Sequence, residues 1–176
     1  MGRDKGLIEF QGKTFVEYVL AAMKPLVQDV IIVTGNPEYD RFDAQRIEDS
    51  VPDAGPLAGV LTGLQHSKTD RNLVVSCDIP GITTDHLKRL TELSPKEQPD
   101  VVQLARGTQT MPLVALYSKS CMQTFKGLLD SGERRLRYAV SQCKTLTLTM
   151  EDSWWGGVED INTPDQFEGL QDHYSG

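Results

Sequence analysis

The stretch Asn72-Leu73-Val74-Val75-Ser76-Cys77-Asp78-Ile79-Pro80 is a short apolar run that leads into a carboxylate and a proline. Its first five residues predict a buried strand, because short β-branched runs followed by loop residues are typical of strands covered on both faces. Asp78 follows this strand, so its carboxylate is expected at the strand's carboxyl end. A lone carboxylate there is a typical Mg²⁺ ligand, and a turn or capping aspartate is the competing interpretation.

Outward from this stretch, predicted strands alternate with predicted helices. The predicted strands are 30–34, 46–49, 72–76, 101–104, 113–117 and 146–150. The predicted helices are 14–23, 57–67, 84–90, 120–129 and 133–141, with a last helix that begins near Thr163 and Pro164. Thr14 with Glu17 forms a capping-box pattern, and a turn at Gly107 joins two of the strands. This alternation predicts a parallel, doubly wound α/β sheet, in which ligands bind at the carboxyl ends of strands.

Length and composition restrict the class of protein. The chain has 176 residues and a net charge of −7, which predicts one domain over 1–176 and argues against a general nucleic-acid binder. Its three cysteines form no CxxC pattern, so we expect neither a disulfide framework nor a zinc site, and we expect a cytoplasmic location. No apolar run approaches the roughly 20 residues of a membrane span. The three histidines follow no ligand spacing and are interpreted as surface residues: His66, His86 and His173.

The opening Met1-Gly2-Arg3-Asp4-Lys5-Gly6-Leu7 looks like the second half of a phosphate-binding loop. Such loops present backbone N–H groups and a lysine to phosphates, and they normally follow a buried strand. If the opening ends a strand–loop–helix unit, the strand is expected about 10 to 20 residues upstream of Met1, in the central position common for first strands. The competing interpretation is that Met1 is a true start and that the opening is a frayed tail.

Three further motifs are candidates for ligand binding. Gly55-Pro56-Leu57-Ala58-Gly59 places two glycines around a helix start, where backbone can approach a base or ribose, although an ordinary helix-entry turn fits as well. Arg134 and Arg135 are adjacent arginines suited to phosphate, or to an exposed helix start. Asn162 precedes the last predicted helix and is by default a cap or turn residue.

Taken together, these segments resemble the molybdenum cofactor guanylyltransferases of the MobA type. The resemblance is carried by residues 1–7, Gly12-Lys13, Ile47-Glu48-Asp49-Ser50, residues 55–59, residues 77–80, 112–117, 131–135 and Asn162-Thr163-Pro164. It implies a Rossmann-like nucleotidyltransferase fold, a three-layer α/β/α sandwich with a mostly parallel sheet. It also implies attack by the terminal phosphate of molybdopterin on the α-phosphate of GTP, which yields molybdopterin guanine dinucleotide and pyrophosphate.

The resemblance also implies residue roles. Lys5 would neutralise the triphosphate, Asp78 would hold Mg²⁺, and Asn162 would lie near the metal and phosphates. The guanine nucleotide would face six residues: Asp49, Gly55, Pro56, Leu57, Ala58 and Gly59. Arg134 and Arg135 would suit the pterin phosphate. Implied partners are cofactor-assembly proteins or the chaperones of molybdoenzymes, with no nucleic acid and no membrane.

Two departures from the family pattern leave alternatives open. The family's opening Leu-Ala-Gly-Gly-x-Ser-x-Arg segment is not among these residues, so we expect a truncated first strand and phosphate loop. Asp160 stands where the family often has Asn. The alternatives are another nucleotidyltransferase of this fold, using CTP or a sugar phosphate, and a catalytically inactive binding protein.

Overall fold

The computed structural model describes residues 4–49, 51, 54–92 and 98–155. The strands are β1 Glu9–Phe10, β2 Lys13–Thr14, β3 Ile31–Val33, β4 Gln45–Ile47, β5 Arg71–Val75, β6 Val101–Arg106, β7 Gln109–Ser118 and β8 Thr145–Met150. β1 and β2 form a hairpin, β3 and β4 form a parallel pair, and the other four form a sheet in the order β5-β7-β6-β8.

Strand β7 runs antiparallel to its neighbours in the four-stranded sheet. It pairs antiparallel with both β5 and β6, whereas β8 pairs parallel with β6. The reason is the connection between β6 and β7: two residues, Gly107 and Thr108, lie between the strands, and a link this short makes a hairpin. Gly107 has a positive φ of 56°, as tight hairpins require. Three of the four strands therefore run in one direction and β7 runs in the other, so the sheet is mixed and two of its three pairings are antiparallel.

The helices begin where the sequence supplies caps. They are α1 Phe15–Met23, α2 Pro56–His66, α3 Thr84–Thr91, α4 Cys121–Asp130 and α5 Leu136–Ser141. Before α1, the backbone N–H of Thr14 donates to Glu17 Oε2 at 2.7 Å, as the capping pattern predicts. Helix α5 starts three residues after the predicted 133, because the Glu133 carboxylate accepts from the backbone N–H groups of Arg134 and Arg135 and forms a turn instead. Short 3₁₀ helices occupy Lys5–Leu7, Lys24–Leu26, Pro37–Arg41 and Asp152–Trp155.

Two apolar clusters cover the opposite faces of the sheet. One joins α2, α4 and α5 to Ala115 and Tyr117 of β7. The other joins α1 and α3 to Val114 and Leu116 of the same strand. Because neighbouring residues of a strand point to opposite faces, this alternation establishes three layers, helix–sheet–helix. None of the helices in the described ranges has the length and apolar character that crossing a membrane requires.

His86 corrects one expectation from the sequence. It is only 8% exposed, so its interpretation as a surface residue was wrong. Its Nδ1 accepts from the backbone N–H of Thr83 at 3.0 Å, and its Nε2 donates to Trp154 O at 2.8 Å. The ring thus caps α3 and packs edge-on against Trp154. His66 is exposed, as expected, and His173 lies outside the described residues.

Candidate active site

The candidate site lies where β3, β4 and β5 end. The ends of β3 and β4 stay together, since Thr34 N donates to Ile47 O at 2.9 Å. The 3₁₀ segment Lys5–Leu7, capped by Asp4, lies against both this pair and the end of β5. Asp4 Oδ2 accepts from Asn36 Nδ2, in the loop after β3, at 3.1 Å. Lys5 Nζ lies 3.6 Å from Asp78 Oδ2, after β5. The candidate side chains therefore collect at the carboxyl ends of neighbouring strands, where ligands bind in open α/β sheets.

Lys5 and Asp78 form an ion pair at the end of β5. Their side chains are 37% and 20% exposed, so water reaches both. Ser76 Oγ donates to Asp78 Oδ1, which leaves Asp78 Oδ2 as the oxygen nearer to Lys5. An ion pair with this exposure contributes little to stability. Either partner can therefore exchange the other for a ligand, with the ammonium turning to a phosphate and the carboxylate to a cation.

Asp4 connects the Lys5 segment to the loop after β3. Its Oδ1 accepts from Gly6 N at 3.1 Å and from Tyr39 Oη at 2.7 Å. Burial, together with this hydrogen bond, raises the pKa of Tyr39, so the phenol stays protonated and remains a donor. Cys77 lies close by, and burial raises its pKa to about 11, which keeps it a neutral thiol.

Asp49 is held by helix α2. Its Oδ1 accepts from Thr62 Oγ1 at 3.2 Å and from Val51 N at 3.0 Å. Its Oδ2 lies 3.9 Å from the position that a Cβ on Gly59 would occupy. A carboxylate with one oxygen fixed and the other facing a glycine can accept hydrogen bonds from an N–H edge that approaches over that glycine.

The predicted nucleotide loop 55–59 turns sharply into α2. Gly55 has a φ of 72°, in the left-handed region that favours glycine, and Pro56 is the first helical residue. The side chains of Leu57 and Ala58 are fully buried in the core. Of these two predicted binding residues, only the backbone is thus available to a ligand. That backbone belongs to the N-terminus of an 11-residue helix, where N–H groups attract anions.

Arg134 and Arg135 both already have partners. Arg134 Nη1 donates to Leu129 O at 2.8 Å, at the end of α4. Arg135 makes two hydrogen bonds to the Glu133 carboxylate, Nε to Oε1 at 2.9 Å and Nη2 to Oε2 at 2.6 Å. These hydrogen bonds lower the pKa of Glu133 to about 2, so the pair is ionised. Arg134 lies close to the nucleotide loop, because a Cβ placed on Gly55 would be 3.8 Å from Arg134 O.

Of the two residues predicted as metal ligands, Asp78 lies among the described residues. Asn162, predicted as a second ligand, and Asp160 lie outside the described residues. Within the ranges that the structure describes, no cluster of three or more His, Cys, Asp or Glu side chains is arranged to hold a metal ion. One accessible carboxylate suits Mg²⁺, which commonly binds through one or two carboxylates, substrate phosphates and several waters.

Sequence reasoning did not identify Tyr39 or Thr62. Tyr39 bonds to a residue 35 positions away and Thr62 to one 13 positions away, so neither contact is a local pattern. Thr62 gives a weak signal, as a hydroxyl on the buried face of a predicted helix needs a partner.

Comparison with known proteins places the chain in a family. The family model for the MobA-like NTP transferase domain matches residues 1–145. A probable molybdenum cofactor guanylyltransferase of Flavobacterium johnsoniae is 33% identical over 170 residues, which cover 97% of this chain and 89% of that protein. The molybdenum cofactor guanylyltransferase of Shewanella amazonensis is 30% identical, over 96% of this chain and 87% of its own length.

Solved structures agree on the fold. Molybdopterin-guanine dinucleotide biosynthesis protein A from Archaeoglobus fulgidus superimposes with a TM-score of 0.83 at 22% identity, over 99% of this chain and 92% of that one. 2-C-methyl-D-erythritol 4-phosphate cytidylyltransferase from Thermus thermophilus gives 0.72 at 14% identity, over 97% and 93%. The predicted Rossmann-like nucleotidyltransferase fold is confirmed. With the family model matching residues 1–145, this chain belongs to the family of MobA-like NTP transferase domains.

Proposed function

We propose that this chain transfers GMP from GTP to molybdopterin in molybdenum cofactor biosynthesis. The observation that carries the proposal is the accessible Lys5–Asp78 pair at the end of β5, in a chain whose relatives are named molybdenum cofactor guanylyltransferases. A cytoplasmic location fits these substrates and the pattern-free cysteines. Delivery of the product to cofactor-assembly proteins or molybdoenzyme chaperones belongs to the same proposal.

The reaction forms and breaks one bond to phosphorus. An oxygen of the molybdopterin phosphate attacks the α-phosphorus of GTP, and the bond from that phosphorus to the bridging oxygen of the β-phosphate breaks. Pyrophosphate leaves with the electron pair. Transfers of this type need positioning and charge neutralisation more than covalent help from the protein. The residues of this chain supply both.

Lys5 and Asp78 have complementary roles in that proposal. The Lys5 ammonium turns from Asp78 towards the triphosphate and neutralises charge that grows on the leaving pyrophosphate. Asp78, oriented by Ser76, would hold Mg²⁺, and Asn162 is proposed as the second ligand. When bound, Mg²⁺ neutralises phosphate oxygens and aligns them. The Asp78 carboxylate would then have Mg²⁺ beside it in place of the Lys5 ammonium, so its negative charge would stay neutralised.

The remaining residues select the two substrates. Asp49 Oδ2 accepts from the N–H edge of guanine while the ring passes over Gly59, and Thr62 keeps Asp49 Oδ1 occupied. Cytosine presents its N–H donor from a smaller ring, so GTP is favoured over CTP. Arg135 would release Glu133 and bind the pterin phosphate instead. Arg134 would release Leu129 O, at the end of α4, and bind the same phosphate.

The test is pyrophosphate release from Mg-GTP with molybdopterin, with Mg-CTP in a parallel reaction. We expect release from GTP and little from CTP. Asp78→Asn should lower kcat by roughly 100-fold or more, because it removes the carboxylate charge without changing size. Asp43→Asn makes the same change at an exposed aspartate that pairs with Lys24 before the amino end of β4, and it should leave the rate unchanged.

Three outcomes would contradict the proposal. Release from CTP at the rate of GTP would indicate another nucleotidyltransferase of this fold. Release from neither, with retained pterin binding, would indicate a binding protein. An Asp78→Asn variant as active as the parent would remove Asp78 from the site.

A further inference from the structure

We propose that Tyr39, together with Asn36, is a positioning residue: through Asp4 it holds Lys5 facing Asp78. The inference rests on the proposed function for its effect on turnover. Its structural content, the position of Lys5, can be measured separately. Neither Tyr39 nor Asn36 lies in a motif that the sequence singles out.

Three hydrogen bonds from the described residues hold the Asp4 carboxylate. Oδ1 accepts from Gly6 N at 3.1 Å and from Tyr39 Oη at 2.7 Å, and Oδ2 accepts from Asn36 Nδ2 at 3.1 Å. With both oxygens used, the carboxylate can neither rotate nor shift without losing a bond. Hydrogen bonds to an ionised carboxylate are also stronger than neutral ones. The backbone just before Lys5 is therefore tied to the loop after β3.

Tyr39 is itself held firmly by the protein core. It is 2% exposed and packs in one cluster with Val16 and Leu20 of α1. Its ring also meets Phe42 edge-on, with 5.7 Å between the centroids. Because the ring cannot move, its hydroxyl is a fixed donor at the edge of the site. Asn36 is fixed as well, since its Oδ1 accepts from Glu38 N at 3.0 Å.

Gly6 shows how closely the two parts fit. A Cβ at this position would overlap Tyr39 Oη and would lie 3.0 Å from Cys77 Sγ. The residue after Lys5 therefore has no room for a side chain. The backbone next to Lys5 is thus enclosed between Tyr39 and the end of β5.

Positioning matters for a lysine more than for most residues. Its ammonium sits at the end of four rotatable bonds, so a fixed backbone is needed to keep it within reach of one partner. Here that partner is Asp78 Oδ2, 3.6 Å away. Loss of the tyrosine donor should loosen the segment, and a displacement of about 1 Å at a reacting group can lower a rate about 100-fold.

The experiment compares Tyr39→Phe with Tyr117→Phe in the full chain. Each change removes one hydroxyl from a tyrosine that is at most 2% exposed. The Tyr117 hydroxyl donates to Pro112 O, within β7. We expect Tyr39→Phe to lower kcat/KM for Mg-GTP roughly 10- to 100-fold. Tyr117→Phe should leave kcat/KM unchanged and lower only the unfolding midpoint.

A second measurement is independent of turnover. Amine acylation, mapped by mass spectrometry, reports how strongly each lysine is engaged. Lys5 should be labelled several-fold faster in Tyr39→Phe than in the parent, whereas Lys126, paired with Asp130 on α4, should be labelled equally in both. If the parent protein shows no turnover, the proposed function fails, and the labelling of Lys5 still decides whether Tyr39 positions it.

Asn36→Asp guards against misfolding of the tyrosine variant. It keeps the oxygen that accepts from Glu38 N but replaces the donor to Asp4 with a second carboxylate oxygen. Repulsion should speed labelling of Lys5 and lower kcat/KM as well. Unchanged labelling and unchanged kcat/KM in both folded variants would overturn the proposal.

Discussion

Strands β5 and β6 carry similarly apolar sequences in different surroundings. Val101 to Ala105 of β6 are buried, and the strand pairs with β7 on one side and β8 on the other. The apolar residues of β5 are only half-buried. In the described part of the chain, β5 pairs only with β7, and β3, likewise half-buried, pairs only with β4.

Burial in this sheet therefore follows strand pairing rather than apolar character. Among the described residues, no backbone pairing joins β3 to β5. Their side chains nevertheless meet, because Ile32 of β3 and Cys77, which follows β5, both pack against the cluster that contains Tyr39. The candidate site lies at the end of this less enclosed pair. Functional segments are commonly drawn from the less stable parts of a fold, because they must exchange partners with ligands.

The largest expected effect tests this difference directly with two leucines. Leu104 of β6 is fully buried, Leu73 of β5 is half-buried, and both pack in the cluster of α1 and α3. Leu104→Ala should lower the free energy of unfolding by about 2–5 kcal/mol, since it removes buried contacts and leaves a cavity. Leu73→Ala should lower it by about 1–2 kcal/mol, because less area is buried there.

Urea unfolding followed by circular dichroism measures both changes, and unchanged slopes would show that only stability has changed. Equal losses for the two leucines would mean that β5 is as enclosed as β6. The distinction between the two regions would then be wrong.

Local patterns were enough to predict the elements on both sides of this comparison. The β5 strand ends at Val75, one residue before the predicted end, and Asp78 lies at its carboxyl end as expected. Because Asp78 closely follows an apolar strand, the direction of that strand alone predicts the end of the sheet at which its carboxylate lies. The strand predicted upstream of Met1 stays a prediction.

Other features depended on contacts that no local pattern contains. The β1–β2 hairpin has two-residue strands around Gln11 and Gly12, too short for a periodic signal. Asp4 belongs to the opening motif, residues 1–7, but its partners Asn36 and Tyr39 come from the loop after β3. A sequence shows which residues can make such bonds, and only the fold shows which of them meet.

A smaller effect concerns the hydrogen bond inside β7. Tyr117 is fully buried, and its Oη donates to Pro112 O at 2.7 Å. Tyr117→Phe leaves that carbonyl without its partner and should lower the free energy of unfolding by about 1 kcal/mol. Tyr117→Leu, which also removes the ring, should cost more. If Tyr117→Phe were as stable as the parent, Pro112 O would have to be hydrated in the variant. Water would then reach the centre of the sheet despite the burial of Tyr117.

The smallest effect concerns pH on the opposite face of the sheet, which α1 and α3 cover and where His86 and Trp154 meet. Burial, more than any other cause, lowers the pKa of His86 in the folded protein below its ordinary value of 6.5. Below pH 6.5 the unfolded chain therefore binds a proton that the folded chain does not, so the free energy of unfolding should fall as pH drops from 7 towards 5. Protonation would also remove the Nδ1 acceptor for Thr83 N.

His86→Gln is the matched variant for that test, because glutamine at this helix position can accept from the cap backbone but does not titrate. Urea unfolding at pH 7, 6 and 5 should show a smaller decline for His86→Gln than for the parent. His66→Gln, at an exposed position on α2, should keep the decline of the parent. Parallel declines in all three proteins would mean that His86 takes up its proton while folded, and that the α3 face admits water beside Trp154.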